Sequence, residues 1–403
     1  MKSITILGRQ PALGLAELES LYGADNVSLT APQAAGLKLH AHDVDFKRLG
    51  GSTRLAHVLT TLPTTDWRRV ERELPTLLTE LALTLPDGKI QLGLSAFGLR
   101  ISPAKLNAAG LTLKKVIRSR TNRSVRVTPN PELELNTAQV LHNHLAGPTG
   151  IELLLVATPD GQTVIARTTA VQDIDSYTLR DRGRPKRDAR VGMLPPKLAQ
   201  IIINLAVADT QPHKGATVLD PFCGTGVVLQ EATLMGFDVY GTDLEQRMID
   251  YSDANLQWLL TLPENSVTPQ TEDKRYYRLE AGDATTHQWK PTPNFVASET
   301  YLGRPFTSQP NSEVIAQTSS EVNLIFKKFL ANIHGQLPAG ARLCLAVPAW
   351  HLGRGQFKHL PLIDQISELG YNQVRFEHVR DNELLYYRED QVVARELLVL
   401  TRK

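Results

Sequence analysis

One short segment, residues 217–226, limits what this chain can fold into. It reads Thr-Val-Leu-Asp-Pro-Phe-Cys-Gly-Thr-Gly, an apolar strand that ends in Asp220 and passes through glycines into a helix. In open α/β sheets, ligands bind where such strands end. A dinucleotide fingerprint needs a third glycine where this chain has Leu229, and a P-loop needs a Gly-Lys-Ser/Thr sequence that this segment lacks. Both phosphate-binding motifs are therefore excluded at this loop.

Two further acids follow the next two predicted strands. Asp243 comes after residues 239–242, and Asp283 comes after residues 279–282. Three carboxylates at neighbouring strand ends suit a cationic, ribose-bearing ligand without phosphate, and S-adenosylmethionine fits that description. We expect Asp220 to face its amino and sulfonium side, Asp243 its ribose hydroxyls and Asp283 its adenine amine. The structural alternative for each single acid is a helix N-cap.

Strands alternate with helices from residue 195 onward. Strands are predicted at residues 216–219, 238–241, 278–281, 295–298 and 341–348, with a closing pair at 374–379 and 392–400. Helices are predicted at residues 226–235, 244–260, 312–333 and 359–369. This order predicts an α/β fold with a doubly wound, Rossmann-like C-terminal sheet that has an antiparallel edge.

The net charge of +2 hides an asymmetry between the two halves of the chain. Residues 1–190 contain 25 Lys and Arg against 18 Asp and Glu, residues 88–131 carry nine cations and no acid, and residues 180–190 carry six cations. A field of one sign attracts phosphates, whereas the structural alternative is a solvated surface. The candidate RNA-binding residues are Lys114, Lys115, Arg118, Arg120, Arg123, Arg126, Arg182, Arg184 and Lys186.

The composition excludes several other classes of protein. Hydrophobic residues make up 42% of the chain, and no apolar run approaches the 18 residues of a membrane span. Two cysteines, Cys223 and Cys344, are too few for a disulfide framework or a cysteine-based zinc site. We expect a cytoplasmic protein without a membrane anchor or a metal, and no feature of the sequence predicts an oligomeric state.

The glycine-loop segment and the residues upstream of it resemble a known family. Residues 220–226, Asp-Pro-Phe-Cys-Gly-Thr-Gly, are similar to the first-strand motif of class I S-adenosylmethionine-dependent methyltransferases. Residues 173–185, Asp-Ile-Asp-Ser-Tyr-Thr-Leu-Arg-Asp-Arg-Gly-Arg-Pro, and residues 192–199, Gly-Met-Leu-Pro-Pro-Lys-Leu-Ala, resemble the THUMP-domain tRNA guanosine-N2 methyltransferases. The resemblance is specific over roughly residues 120–245 and looser elsewhere.

The resemblance implies a domain order and a set of cofactor contacts. The domains would be a ferredoxin-like α/β unit (1–62), a THUMP-like RNA-binding domain (63–171), a basic linker (172–192) and a class I methyltransferase domain (193–403). Residues 193–195 would help to seat the cofactor. The expected contacts with S-adenosylmethionine are Leu194, Asp220, Phe222, Cys223, Gly224, Thr225, Gly226, Asp243, Leu244, Asp283 and Ala284.

The end of the fourth strand is where amine-methylating relatives place Asp/Asn-Pro-Pro-Tyr/Phe. An exocyclic amine is a poor nucleophile because its lone pair is delocalised into the ring. Oxygen acceptors that orient the amine, and an aromatic ring stacked on the base, favour its attack. This chain has Glu-Thr-Tyr-Leu at residues 299–302, so the carboxylate is kept but both prolines are gone. We expect Glu299 to accept an amine proton and Tyr301 to stack on the base.

The sequence therefore predicts methyl transfer from S-adenosylmethionine to the N2 amine of a guanine in tRNA. Two alternatives stay open. One is a nucleic-acid adenine-N6 methyltransferase, which uses the same strand ends. The other is a catalytically silent, tRNA-binding subunit with a methyltransferase fold, in which the altered 299–302 loop transfers nothing.

Overall fold

The chain divides into two compact units. The computed structural model describes residues 1–188, 194–262, 276–304, 306, 309–353, 355–389 and 391–403. The N-terminal unit contains Met1–Pro11, Gly23–Lys47 and Ser52–Asp175. The C-terminal unit contains Ser176–Lys403 and two earlier pieces, Arg48–Gly51 and Ala12–Tyr22, which is most of helix α1 (Pro11–Tyr22). No sequence pattern indicated that these two pieces would join the C-terminal unit.

The N-terminal unit is built on one eight-stranded sheet. Its strands are β1 (Ser3–Leu7), β2 (Val27–Ala31), β3 (Ala34–Leu37), β4 (Ser52–Leu62), β5 (Ile90–Phe97), β6 (Val125–Val127), β7 (Gly150–Ala157) and β8 (Thr163–Val171). They lie in the order β2-β3-β1-β4-β8-β7-β5-β6. The helices of this unit are α2 (Trp67–Thr84), α3 (Pro103–Thr121) and α4 (Thr137–His142).

The predicted division at residue 62 is wrong, because β4 joins the two predicted domains. One side of this eleven-residue strand pairs with β1, and the other side pairs antiparallel with β8 from Leu62 opposite Thr163 to Arg54 opposite Val171. A strand this long carries backbone donors and acceptors on both sides, and an unpaired side is an aggregation hazard. The predicted 1–62 and 63–171 domains therefore share one sheet.

Helix α2 shows how local sequence sets the elements of this unit. The side chain of Asp66 accepts a hydrogen bond from the backbone N–H of Arg69 at 3.1 Å, which caps the first turn. Val70, Leu74 and Leu78 follow at four-residue spacing and are fully buried in the hydrophobic core. The spacing of apolar residues thus turns one face of α2 toward the core.

The C-terminal unit contains a larger mixed sheet flanked by helices. Its helices are α1, α5 (Ile174–Thr178), α6 (Pro196–Val207), α7 (Val227–Leu234), α8 (Gln246–Thr261) and α9 (Ser312–His334). Its strands are β9 (Thr217–Asp220), β10 (Asp238–Asp243), β11 (Tyr277–Ala281), β12 (Phe295–Glu299), β13 (Arg342–Gly353), β14 (Gln356–Lys358), β15 (Tyr371–Gln373), β16 (Leu385–Tyr386) and β17 (Val393–Arg402). The main strand order is β11-β10-β9-β12-β13-β17-β15.

The strand directions confirm the predicted doubly wound sheet. Strands β9 to β13 run parallel to one another, and β17 runs antiparallel between β13 and β15. The antiparallel strand therefore lies one position inside the edge. Two predicted elements are wrong: residues 359–369 contain only a 3-10 turn at Pro361–Gln365, and residues 374–379 form no strand. In that second segment, the backbone N–H groups of Glu377 and His378 donate to the carboxylate of Glu19 instead.

The predicted basic linker is a packed segment as far as Asp188. Residues 174–178 form α5, and Leu179–Gly183 continues it as a π-helical turn. Tyr177 is buried, and the guanidinium of Arg180 pairs with the buried carboxylate of Glu231 at 2.7 Å. The ion pair lets the charged Arg180 pack against the protein, because burying a charge is costly unless it has a partner. Residues 189–192 of the predicted linker lie outside the described residues.

A buried polar cluster fixes α1 within the C-terminal unit. Glu17 accepts hydrogen bonds from the backbone N–H groups of Gly50 (2.9 Å) and Gly51 (2.8 Å) and from Nδ2 of Asn204 (2.8 Å). Nε of Arg48 donates to Oδ1 of Asn204 at 3.0 Å. Burial raises the pKa of the Glu17 carboxyl from 4.5 to about 7, against the opposing effect of these donors. The cluster joins three segments that are far apart in sequence.

Candidate active site

The candidate site lies at the carboxyl edge of the C-terminal sheet. The strand order reverses between β9 and β12, and ligands bind at such switch points. A cavity of about 1160 Å³ opens there, large enough for a cofactor-sized ligand. Twelve of the predicted site residues line it: Leu194, Asp220, Phe222, Cys223, Gly224, Thr225, Asp243, Leu244, Asp283, Ala284, Glu299 and Tyr301. Gly226 is not among the lining residues, and Met193 lies outside the described part of the chain.

Asp220 ends β9 at the base of the cavity and is 2% exposed. Its Oδ1 accepts hydrogen bonds from Oγ of Ser298 at 2.6 Å and from the backbone N–H of Phe222 at 3.2 Å. Burial raises the pKa of this carboxyl from 3.8 to about 7, and the negative charges of Asp243 and Glu299 act in the same direction. A cation placed beside Asp220 would therefore favour its ionised form.

Asp243 ends β10 and ties the glycine loop to that strand. Its Oδ2 accepts from the backbone N–H of Gly224 at 2.9 Å, and its Oδ1 accepts from the backbone N–H of Glu245 at 3.0 Å. A carboxylate has about four lone-pair sites, more than these backbone donors occupy, so it can also accept from a ligand's hydroxyl group. Burial raises the pKa of Asp243.

Gly226 has a backbone role rather than a ligand contact. Its φ of +80° lies in the left-handed region, and a Cβ there would lie 2.8 Å from Oγ of Ser252. Only glycine meets both demands without strain. The residue starts α7 and so sets the close packing of the loop on α8, which carries Ser252.

Asp283 follows β11 and is exposed at the side of the cavity. Its Oδ1 accepts from the backbone N–H and from Oγ1 of Thr285, both at 2.8 Å. The backbone donor holds the pKa of Asp283 below its usual value. The residue therefore caps its own turn and also presents an ionised carboxylate to the cavity.

Three exposed apolar side chains line this cavity. Leu244 is 74% exposed, Leu324 is 54% exposed and Tyr301 is 46% exposed, and all three line it. Large apolar side chains grouped at a concave site mark a binding surface. Flat apolar groups, such as nucleobases, are suitable occupants.

Glu299 ends β12 and forms an ion pair that the sequence did not indicate. Nε of Arg395, on β17, donates to Oε1 of Glu299. Both side chains are largely buried, at 8% exposure for Arg395 and 14% for Glu299, and both line the cavity. The signal available in the sequence was an Arg-Glu pair inside the otherwise apolar strand at residues 393–400. Ser298, the partner of Asp220, also escaped prediction.

The loop after Glu299 is held without the two prolines of the family motif. Thr300 donates its backbone N–H to the carbonyl oxygen of Ala346 at 3.0 Å and its Oγ1 to the same oxygen at 3.1 Å. These bonds fix the chain at the residue before Tyr301. The aromatic side chain of Tyr301 therefore reaches the cavity from a restrained position.

The predicted RNA-binding cations do not all lie on the surface. Lys115, Arg118, Arg120, Arg126, Arg182 and Lys186 are exposed, and Lys114 is half-buried. The guanidinium of Arg123 instead donates to carbonyl oxygens just after α2, including those of Leu85, Pro86 and Gly88, and to that of Ala82 in its last turn. Arg184 is 3% exposed. Arg123 and Arg184 therefore have positions that suit folding rather than contact with RNA.

Three further observations concern the reactivity of Cys223, metal binding and membrane spanning. Burial raises the pKa of the Cys223 thiol well above its usual value, so Cys223 is a poor nucleophile. The described ranges contain no group of three or more His, Cys, Asp or Glu side chains arranged to hold a metal. Within the same ranges, no helix has the length and apolar character needed to cross a membrane.

The fold is that of the Rossmann-like methyltransferases. A structure described as a possible methylase from Clostridium difficile 630 matches 98% of this chain and 97% of its own, with 13% identity and a TM-score of 0.52. A family model described as DNA methylase matches residues 178–254, which include the glycine loop and β10.

Curated proteins are similar to parts of this chain. The tRNA (guanine(10)-N2)-dimethyltransferase of Methanothermobacter thermautotrophicus is 30% identical over 158 residues, which are 39% of this chain and 39% of that protein. The enzyme of the same name from Pyrococcus abyssi is 42% identical over 65 residues, 16% of this chain and 18% of that protein. The chain thus matches about two fifths or less of the length of these relatives. Over these stretches the chain is similar to tRNA (guanine(10)-N2)-dimethyltransferases.

Proposed function

We propose that this chain transfers a methyl group from S-adenosylmethionine to the N2 amine of a guanine in tRNA. The observation that carries the proposal is the cavity at the carboxyl edge of the C-terminal sheet, where Asp220, Asp243 and Glu299 meet beside exposed apolar surface. The names of the curated relatives support guanine as the base and tRNA as the partner.

The cavity suits S-adenosylmethionine in charge and in shape. The ligand carries a sulfonium and an ammonium group, and Asp220 supplies a buried negative charge when ionised. The remaining lone pairs of Asp243 suit the ribose hydroxyls, and Leu244 and Asp283 suit the adenine ring and its amine. The other proposed contacts are Leu194, Phe222, Cys223, Gly224, Thr225 and Ala284.

Glu299 and Tyr301 are the proposed catalytic residues. When bound, S-adenosylmethionine supplies an electrophilic methyl group. Arg395 donates to Oε1 of Glu299, so we assign Oε2 as the oxygen that accepts a hydrogen bond from the N2 amine. When the amine nitrogen gains the methyl group it loses a proton, and the carboxylate of Glu299 accepts that proton. Tyr301 stacks on the base, a contact worth about 1–3 kcal/mol.

The exposed Lys and Arg side chains are the proposed contacts with the phosphates of the RNA. We assign Lys114, Lys115, Arg118, Arg120 and Arg126 to a THUMP-like role of the N-terminal unit, and Arg182 and Lys186 to the C-terminal unit. Contacts of this kind bind phosphates and position the RNA without reading its sequence. A cytoplasmic location is part of the proposal, because Cys223 and Cys344 are buried free thiols.

The test is transfer from radiolabelled S-adenosylmethionine to unmodified tRNA, to duplex DNA and to no nucleic acid. We expect label in tRNA alone. Glu299→Gln should slow transfer by about 10²–10⁴-fold, while cofactor affinity at pH 8, where Asp220 is mostly ionised, should change little. Glu368→Gln, at an exposed position away from the cavity, is the matched control and should keep the wild-type rate. Label in duplex DNA would favour the adenine-N6 alternative. Binding of both ligands without any transfer would favour the silent subunit.

A further inference from the structure

We propose that Arg395 reads the target base directly, so that Arg395 and Glu299 together select guanine among bases with an exocyclic amine. The inference rests on the proposed function, since it assigns the recognition of the same base at the same cavity. It names a residue that neither the sequence motif nor the comparisons assign.

The antiparallel direction of β17 is what brings Arg395 to the site. Ala346 of β13 lies opposite Glu299 of β12, and Pro348, two residues further along β13, lies opposite Arg395. The first residues of β17 therefore lie at the edge where the parallel strands end. Side chains alternate along a strand, and Val393 and Arg395 both line the cavity.

The next residue on β17 shows that this orientation is specific. Glu396 pairs with Nδ1 of His359 at 2.7 Å, and neither residue of that pair lines the cavity. Arg395 and Glu396, adjacent on β17, thus pair with different residues. Arg395 is the one whose guanidinium is committed to the cavity and to Glu299.

A structural role alone does not account for a buried ion pair at this place. Taking both charges out of water costs about as much as their attraction returns, and an apolar pair of similar volume often stabilises a protein equally well. Guanidinium has five N–H donors in a fixed planar fork, and Glu299 takes the one on Nε. The Nη donors belong to a group that lines the cavity, where a ligand's acceptor can meet them.

The Watson–Crick edge of guanine matches this pair of residues. It presents two adjacent donors, N2–H and N1–H, followed by one acceptor, O6. The carboxylate of Glu299 accepts from the two donors, and the guanidinium of Arg395 donates to O6. Adenine and cytosine have an unprotonated ring nitrogen beside their amine, and its lone pair would face a carboxylate oxygen. Such a repulsive contact rejects the wrong base.

The test compares two bases in two proteins. The nucleotide that the wild type methylates is mapped first, and a second tRNA then carries 2-aminopurine there. This base keeps the N2 amine but lacks O6 and the N1 proton. We expect Arg395→Met to lower kcat/KM on guanine by about 10- to 150-fold more than on 2-aminopurine, which is the range for a lost hydrogen bond to a charged group. An equal loss on both bases would show that Arg395 only positions Glu299, and would overturn the inference.

Binding and controls separate this inference from the proposed function. The affinities of both tRNAs, measured with S-adenosylhomocysteine in place of the methyl donor, should show the same excess loss for guanine. Arg375→Met, at an exposed arginine paired with Asp381, should leave both bases unaffected. If Arg395→Met does not fold, Arg395→Lys gives the same comparison with the positive charge kept. An unchanged preference for guanine over 2-aminopurine in Arg395→Lys would show that the planar guanidinium is not what recognises guanine. A wild type that methylates no guanine would defeat the proposed function itself.

Discussion

The affinity for S-adenosylmethionine should depend on pH through Asp220. Burial, with the charges of Asp243 and Glu299, raises the pKa of Asp220 to about 7 in the protein without ligand. The carboxyl is then mostly protonated at pH 6 and mostly ionised at pH 8. Because the ligand is cationic, it binds the ionised form more tightly, and binding below pH 7 must release a proton.

The size of the effect follows from the titration. With a pKa of about 7, roughly a tenth of the molecules carry an ionised Asp220 at pH 6 and roughly nine tenths at pH 8. Affinity should therefore rise about tenfold across this range, or about 1.4 kcal/mol. Titration calorimetry in two buffers with different ionisation enthalpies should record the release of almost one proton per ligand at pH 6.

A near-isosteric variant isolates the contribution of Asp220. Asp220→Asn keeps an oxygen that can accept from Ser298 and cannot ionise, while the ligand's own titration is unchanged. The affinity of this variant for S-adenosylmethionine should be weaker than that of the wild type at pH 8, and it should increase much less between pH 6 and pH 8. Asp250→Asn, at an exposed position on α8, should keep the wild-type profile. Identical pH profiles for wild type and Asp220→Asn would refute the placement of the cation beside Asp220.

Three more predictions follow from contacts in the two units. Asp243→Asn should weaken S-adenosylmethionine binding by about 1–3 kcal/mol in calorimetry, because its amide donor would face the backbone N–H of either Gly224 or Glu245. The fold favours protonated Glu17, so its contribution to stability is fully present below pH 4.5 and is lost as the pH rises through 7. Between pH 5 and pH 8 this loss is about 2.5 kcal/mol, and Glu17→Gln should remove it in denaturant unfolding at the two pH values. Arg123→Ala should lower stability by about 1–3 kcal/mol in denaturant unfolding, because its guanidinium holds the carbonyl oxygens at the end of α2. In tRNA-binding titrations, Arg123→Ala should leave the salt dependence of the affinity unchanged, whereas Arg120→Ala should make it less steep.

The parts of the site that were predictable lie within short stretches of sequence. The glycine loop, Asp220, Asp243 and Asp283 each follow a strand directly, and parallel strands bring their carboxyl ends to one edge of a sheet. Local order was therefore enough to predict that these residues meet. Glu299, at the end of β12, was predicted instead from the resemblance of residues 299–302 to the family motif.

The contacts that escaped prediction join distant segments. Arg395 lies 96 residues after Glu299, and Asn204 lies 187 residues after Glu17. Such pairs depend on which strand enters the sheet at which place and on which helix packs against it, and neither is encoded in local periodicity. The burial of Arg184 escaped prediction as well, because a run of cations looks solvated until the segments that pack against it are known.

The identity of the methylated nucleoside tests the central claim most directly. Unmodified tRNA is incubated with the protein and S-adenosylmethionine, digested to nucleosides and analysed by mass spectrometry against authentic standards. We expect guanosine methylated at N2, formed by the wild type and about 10²–10⁴-fold more slowly by Glu299→Gln. Methylation of adenosine at N6, or N2-methylated guanosine formed at equal rates by both proteins, would contradict it.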